Sequence, residues 1–196
     1  MWKQQRTYVR PPACHGFTLV ELLVTVAVLA VVLALAVPSF QGVINRNRVT
    51  TAANELASAL QLARVEAVRR NRAVVLCPST DGTSCAGADW SRLVIFVDAN
   101  GDRSPGGDDD ELVRDVVVDT GDLVVQGSSN VAGNNRIWFA ADGLVRMGAA
   151  AVRTGGVSVC STKLPAADNT RDVLVAVSRI NVASRAGTAE CRARQD

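Results

Sequence analysis

Three patterns of hydrophobic and polar positions follow one another along the 196-residue chain. Residues 17–40 read FTLVELLVTVAVLAVVLALAVPSF, with Glu21 as their only charge. As a helix, these 24 residues span roughly 36 Å, enough to cross a bilayer core. Residues 41–72 change pattern: Val49, Ala53, Leu56, Leu60, Ala63 and Ala67 recur at steps of three and four. That spacing makes one apolar stripe, with Arg46, Arg48, Glu55, Glu66 and Arg70 off it. A single helix of about 55 residues is expected, its second half packed under a head. Beyond Arg72 the period drops to two, or to short β-branched runs. Strands are predicted at 73–76, 93–97, 112–118, 123–125, 136–139, 157–160 and 173–182. Asp81-Gly82, Asn100-Gly101, Pro105-Gly106-Gly107, Asn134-Asn135, Asp142-Gly143 and Gly155-Gly156 read as the turns between them. The fold class is therefore α+β, a long N-terminal helix followed by a β-rich head at 73–196, with no internal repeat.

Charge adds an orientation. The formal net charge is only +2, but residues 77–135 carry eleven acidic and three basic side chains between two basic flanks. So even a balance argues against a general nucleic-acid binder. Lys3, Arg6 and Arg10 precede the apolar run, which keeps residues 1–16 cytoplasmic and sends the remainder outward. A cleaved secretory signal is the rival reading. It fits poorly, because Glu21 stands near the start of the run and Val37-Pro38-Ser39-Phe40 offers no small-residue cleavage site. The segment is expected to remain as a single-pass inner-membrane anchor, with the head in the periplasm. An ionisable Glu21 within it costs several kcal/mol, roughly 2.5–3.5 at the centre of a span, and so marks function.

Gly16-Phe17-Thr18-Leu19-Val20-Glu21, after a basic leader and before an unbroken apolar run, resembles the class III signal of type IV prepilins and type II secretion pseudopilins. The resemblance implies that prepilin peptidase cuts between Gly16 and Phe17 and that Phe17 is then N-methylated. It implies that Glu21 pairs with the N-terminal amine of a neighbouring subunit during filament assembly, and that Pro38 lies where pilin helices loosen. Farther on, Arg72-Ala-Val-Val-Leu-Cys77-Pro78 and Trp90-Ser-Arg-Leu-Val-Ile-Phe-Val-Asp98-Ala-Asn100-Gly-Asp102 resemble the GspH/FimT group of minor pilins and pseudopilins. Some FimT members bind DNA through a Gly-Arg-x-Arg motif. Here Ser178-Arg179-Ile180-Asn181 stands instead.

Removal of residues 1–16 would discard Cys14 and His15, the chain's one histidine, and leave a side-chain balance of −1. Without histidine there is no Ser–His or Cys–His nucleophile and no His-ligated zinc. No G-x-S-x-G and no phosphate loop occurs either. A non-enzymatic chain is expected, with no cofactor and no small-molecule substrate.

Three further groups carry chemistry. Asp98-x-Asn100-x-Asp102, followed by Asp108, Asp109, Asp110 and Glu111, resembles the start of a calcium loop, but Arg103 stands where such a loop needs Gly. A solvated hairpin turn is the preferred reading, with calcium the alternative. Cys77, Cys85, Cys160 and Cys191 are expected to form disulfides in an oxidising compartment. Three connectivities are open; 77–85 with 160–191 is favoured, and a four-thiolate zinc site is the rival. Arg179, Arg185, Arg192 and Arg194 form a candidate phosphate-contacting set, opposed by Glu190 and Asp196. No aromatic residue follows Phe139 to stack on bases, which favours a solvated edge and tail. The expected function is a minor pilin that assembles with other pilins into a type IV pilus. The alternatives are the H-type minor pseudopilin of type II secretion and a DNA-binding minor pilin for natural transformation.

Overall fold

The computed structural model describes residues 16–106, 109–118 and 121–196. Lys3, Arg6, Arg10, Cys14, His15 and Asp108 lie outside the described residues. The chain divides into two compact units, residues 1–40 and 41–196. One helix, α1 (Leu19–Arg70), contributes to both. Its start is fixed by Thr18, whose Oγ1 accepts the Glu21 N–H at 3.2 Å while its carbonyl accepts the Leu22 N–H. Thr-x-x-Glu is the sequence of a capping box, and its threonine half satisfies one N–H that the first turn leaves unpaired. At the other end Asn71 takes φ 53°, a left-handed conformation that Asn tolerates. The Arg72 N–H then reaches the Ala67 carbonyl and the Asn71 N–H the Val68 carbonyl, which closes the helix as a Schellman motif.

Among the described residues of the second unit, nine strands form two antiparallel sheets. The first holds β1 (Ala73–Pro78), β2 (Arg92–Asp98), β3 (Glu111–Val117), β5 (Ile137–Phe139) and β6 (Val145–Met147), in the order β3-β2-β1-β5-β6. The second holds β4 (Leu123–Gly127), β7 (Thr154–Ser161), β8 (Thr170–Ala176) and β9 (Arg179–Arg185), in the order β4-β7-β8-β9. A short helix, α2 (Ser129–Ala132), links β4 to β5.

The stripe on α1 is the centre of the core. Val49, Ala53, Leu56, Leu60, Ala63 and Ala67 are all buried, in one cluster with Leu76, Ile95, Ile137 and Phe139 of the first sheet and Val157, Val159, Val173 and Val175 of the second. Alternate residues of the first sheet point the other way. Val75, Cys77, Val94, Phe96 and Trp138 form a separate buried cluster closed by Cys85. A sheet covered on both faces needs no polar alternation, and β1 and β2 are accordingly apolar almost throughout.

The structure corrects two strand assignments. The run 173–182 is two strands joined at Val177-Ser178, with Ala176 opposite Arg179. Val177 takes φ 57°, and its N–H and carbonyl are bound by the Arg153 carbonyl and the Val145 N–H. Tertiary hydrogen bonds impose this turn on a β-branched residue, so local propensity does not reveal it. Gly155-Gly156, read as a turn, lies inside β7 instead. Gly156 is there because a Cβ would overlap the carbonyl oxygen of Val173 on the paired strand. Gly156→Ala should therefore lower stability by about 2–3 kcal/mol, read as a fall in the thermal unfolding temperature of the purified chain. An unchanged temperature would show that β7 and β8 are not so closely apposed.

Candidate functional site

At the N-terminal end, Gly16 and Phe17 are exposed, Phe17 to 73%. From Leu19 to Leu35 every residue of α1 is exposed, twelve of them Leu or Val. The segment is long and apolar enough to cross a membrane. Its backbone is internally hydrogen-bonded, as a low-dielectric surrounding demands. Glu21 sits in the first turn, where the unpaired N–H groups carry partial positive charge and favour an anion. Thr25 Oγ1 donates to the Leu22 carbonyl at 2.8 Å, so this hydroxyl is satisfied within the helix as well. Sequence reasoning missed the role of Thr18, although the Thr-x-x-Glu spacing was there to be read.

On the head, Cys77 bonds to Cys85 and Cys160 to Cys191. The first bridge holds a loop over the outer face of the first sheet. Asp81 organises this loop: its carboxylate accepts hydrogen bonds from the Thr83 and Ser84 N–H groups, each at 2.8 Å, and from the Ser79 and Ser84 hydroxyls. The Ser84 hydroxyl first, then these N–H groups, hold the Asp81 carboxyl well below the usual carboxylate range. The second bridge ties the C-terminal tail over the outer face of the second sheet.

Beneath that tail Asp172 is 1% exposed. It accepts the Ser158 hydroxyl at 2.7 Å and the Arg185 Nε–H at 2.6 Å, and Arg194 lies 3.6 Å away. Arg194 also pairs with Asp196, and Arg192 with Glu190. Three of the four candidate phosphate-contacting arginines thus face carboxylates of their own chain. Arg179 alone of the four has no carboxylate partner among the described residues. Asp172 escaped the sequence reading because its partners come from another strand and from the tail.

The acidic turn after β2 is occupied by its own backbone. Asp98 accepts the Gly101 N–H at 2.7 Å, Asp102 the Ser104 N–H at 2.7 Å, and Asn100 the Asp102 N–H at 2.9 Å. Asp110 accepts the Ala99 N–H, and Arg103 stacks on Trp138 with its guanidinium carbon 4.3 Å from the ring centre. These are the side-chain-to-backbone bonds that make Asp and Asn common in turns. Among the described residues no three His, Cys, Asp or Glu side chains are grouped to hold a metal ion.

A long helix with an uncovered apolar first half, and a second half that forms the core of an antiparallel β head, defines the type IV pilin-like class. Within that class the chain belongs to the GspH family. The family's sequence model, described as Type II transport protein GspH, matches residues 52–180, and the prokaryotic N-terminal methylation motif matches residues 12–37. The chain is 41% identical over 89 residues to the pilin-like protein PilA1 of Thermus thermophilus, which covers 45% of this chain and 51% of that one. It is 38% identical over 63 residues to a fimbrial protein of Pseudomonas aeruginosa, covering 32% and 40% respectively. The chain therefore spans about half, or less, of the length of these curated relatives. The crystal structure of the type IV minor pilin FimU of Pseudomonas aeruginosa aligns with a TM-score of 0.53 at 21% identity, over 72% of this chain and 96% of that one. At that identity the likeness speaks for the fold.

Two measurements bear on the head. Loop-closure entropy gives the bridge of sequence separation 31 about 4 kcal/mol and that of separation 8 about 2.5 kcal/mol. Replacing Cys160 and Cys191 together by Ser should then lower the unfolding temperature more than replacing Cys77 and Cys85. The reverse order would mean that the tail is held by Asp172 and its partners alone.

The second measurement is an acid titration. Arg69 and Arg70 lower the Glu66 carboxyl, Arg70 that of Glu111, Arg92 that of Asp115 and Lys163 that of Asp122. Each therefore stays ionised to lower pH in the folded chain than in the unfolded one. Their contribution is complete above the unfolded carboxylate range, about pH 4–4.5, and is lost as pH falls below it. Thermal unfolding followed from pH 7 downward should show a plateau and then a decline below about pH 4. A rise in stability on acidification would contradict these pairings.

Proposed function

We propose that the chain is a minor structural subunit of a type IV pilus, made as a membrane-anchored precursor. Prepilin peptidase would hydrolyse the Gly16–Phe17 bond on the cytoplasmic side, and the new Phe17 amine would be methylated. The head at 73–196 would face the periplasm, and 41–72 would be the half of the helix that packs on it. The chain would leave the bilayer by exchanging lipid around its apolar helix for the apolar helices of other pilins. The observation that carries this reading is an apolar helix surface without cover, with one carboxylate, Glu21, four residues from the cleavage position.

In that setting Glu21 has one natural counter-ion, the Phe17 amine of a neighbour. Both charges lie in apolar surroundings, so each needs the other. A role as the H-type minor pseudopilin of type II secretion is the second reading, and the description of the family that matches residues 52–180 supports it. DNA uptake is the weaker reading, because Arg185, Arg192 and Arg194 are engaged by carboxylates.

Glu21→Ala should leave processing intact and abolish incorporation. Removing one partner of a buried charge pair costs roughly 3–5 kcal/mol, a hundredfold or greater fall in the amount found in sheared filaments. Gly16→Val should instead block processing, leaving the precursor at its full length on a denaturing gel. Normal recovery of Glu21→Ala in sheared filaments would refute the assembly reading.

A further inference from the structure

An open sheet ends in two strands whose outer backbone groups have no ladder to join, and such edges pair with other chains unless something blunts them. Here the edges are β3 and β6 of the first sheet and β4 and β9 of the second. Three of them are blunted. On β4, the Val125 carbonyl accepts the Trp90 N–H, and Gln126 is bridged to Asp89. On β6, Met147 is bridged to Val152, and the Val145 N–H is taken by the Val177 carbonyl. β3 carries a bulge, where its pairing with β2 passes over Val113, together with the charges of Glu111, Arg114 and Asp115. β9 has no such device. It pairs with β8 without a break from Arg179 to Arg185, and its other side is open.

Alternate residues of an antiparallel strand bond to a given neighbour. The two-residue turn at Val177-Ser178 makes Ala176 and Arg179 a bonded pair, so Arg179, Asn181, Ala183 and Arg185 bond to β8. The N–H and C=O groups of Ile180, Val182 and Ser184 point to the open side, and none is bonded within the chain among the described residues. The side chains of Ile180 and Val182 pack on the core. Beside Ile180 runs a groove of about 720 Å³, whose far wall is α1 at Gln61, Arg64, Val65 and Val68. Val65 and Val68 are 60% and 54% exposed. A strand laid along β9 would therefore find main-chain partners at its edge and an aliphatic floor under alternate side chains. The mouth of the groove is cationic. Arg64 Nη1 donates to the Ser178 carbonyl at 2.6 Å, and neither Arg64 nor Arg179 has a carboxylate partner among the described residues. Two such guanidinium groups favour a carboxylate on the incoming segment. Lipid and nucleic acid do not offer alternating donors and acceptors at strand spacing.

We propose that β9 is completed by an extended, alternately apolar segment of a different pilin subunit, which adds a fifth strand to the sheet β4-β7-β8-β9. Its apolar side chains rest on Val65 and Val68, and a carboxylate lies beside Arg179. The free edge that a second copy could lend, β3, is bulged and charged and does not lie flat against β9. The contact is thus made once, to an unlike chain, as suits a subunit present in few copies. The proposal rests on the assembly reading, which makes other pilins the chains within reach.

The test uses the full-length chain in the cells that produce it, with p-benzoylphenylalanine at Ile180 in one strain and at Ser184 in another. Ultraviolet irradiation should join both labels to one segment of the same partner, a different pilin subunit. The two attachment points should lie about four residues apart, because paired strands advance in step. Val182→Pro removes an N–H of the open side without breaking a bond to β8, and should lower both adducts roughly tenfold. Arg179→Asp, at an exposed side chain, should lower them roughly fivefold, and it carries the test if the proline variant fails to fold. Attachment to a second copy, to a protein that is not a pilin, to lipid or DNA, or at points out of step would overturn the proposal. So would adducts indifferent to Arg179→Asp, or no adduct from a chain that is present in sheared filaments. Recovery of the unmodified chain in those filaments is scored separately: its absence would defeat the assembly reading, whereas its presence without the stepped adducts would defeat only the strand addition.

Discussion

Everything in the head depends on the burial of one stripe of small and aliphatic residues on α1. Ala52, Ala53, Ala57, Ala59, Ala63 and Ala67 are buried beside Val49, Leu56 and Leu60. With methyl side chains at so many contact positions, the helix backbone comes close to both sheets and joins them in one core. Tight apposition of this kind leaves no spare volume, which is why added atoms at a site such as Gly156 are poorly tolerated. The same helix, read toward its N-terminus, has no such partner. Its Leu and Val side chains from Leu19 to Leu35 are exposed among the described residues. A hydrophobic surface of that size must be covered by lipid or by other subunits. The division between buried and uncovered halves is thus the physical basis of the functional reading.

The outer faces of the two sheets pose a second problem, solved twice in the same way. Each is covered by a segment without regular structure, tethered by a disulfide: residues 79–85 over the first sheet and the C-terminal tail over the second. Irregular segments carry backbone groups that need partners, and the chain supplies them locally. Asp81 serves the first loop. Ser129 and Asn130 serve the tail, the Ser129 Oγ accepting the Asp196 N–H and the Asp196 carboxylate the Asn130 N–H. Buried Asp172 is acceptable under that tail because Ser158 and Arg185 satisfy it.

Much of this was legible in the sequence where local patterns decide. The helix stripe was readable because 3.6-residue periodicity is dictated by the same burial that makes the core. The apolar run and the strands around 73–76 and 93–97 were readable for similar reasons. What escaped was set by distant contacts. The β8–β9 turn is made at Val177, a residue no turn rule selects, because hydrogen bonds from 145 and 153 hold it. Gly155-Gly156 looks like a turn and is a strand because another backbone passes close by. The candidate arginine set gave no sign of Asp172, which lies on the adjacent strand and pairs with Arg185 and Arg194. Two-sided burial of the first sheet also could not be inferred from β1 and β2 alone, since a continuous apolar run fits a helix as well.

The central claim is that the uncovered helix belongs to a processed filament subunit, and its chemical signature lies at Phe17. Sheared filaments from cells that produce the chain can be digested and their N-terminal peptides read by tandem mass spectrometry. The account predicts a peptide that begins at Phe17, carries one methyl group on its amine, and includes Glu21. Peptides that span the Gly16–Phe17 bond, recovered only from membranes while filaments lack the chain, would contradict it.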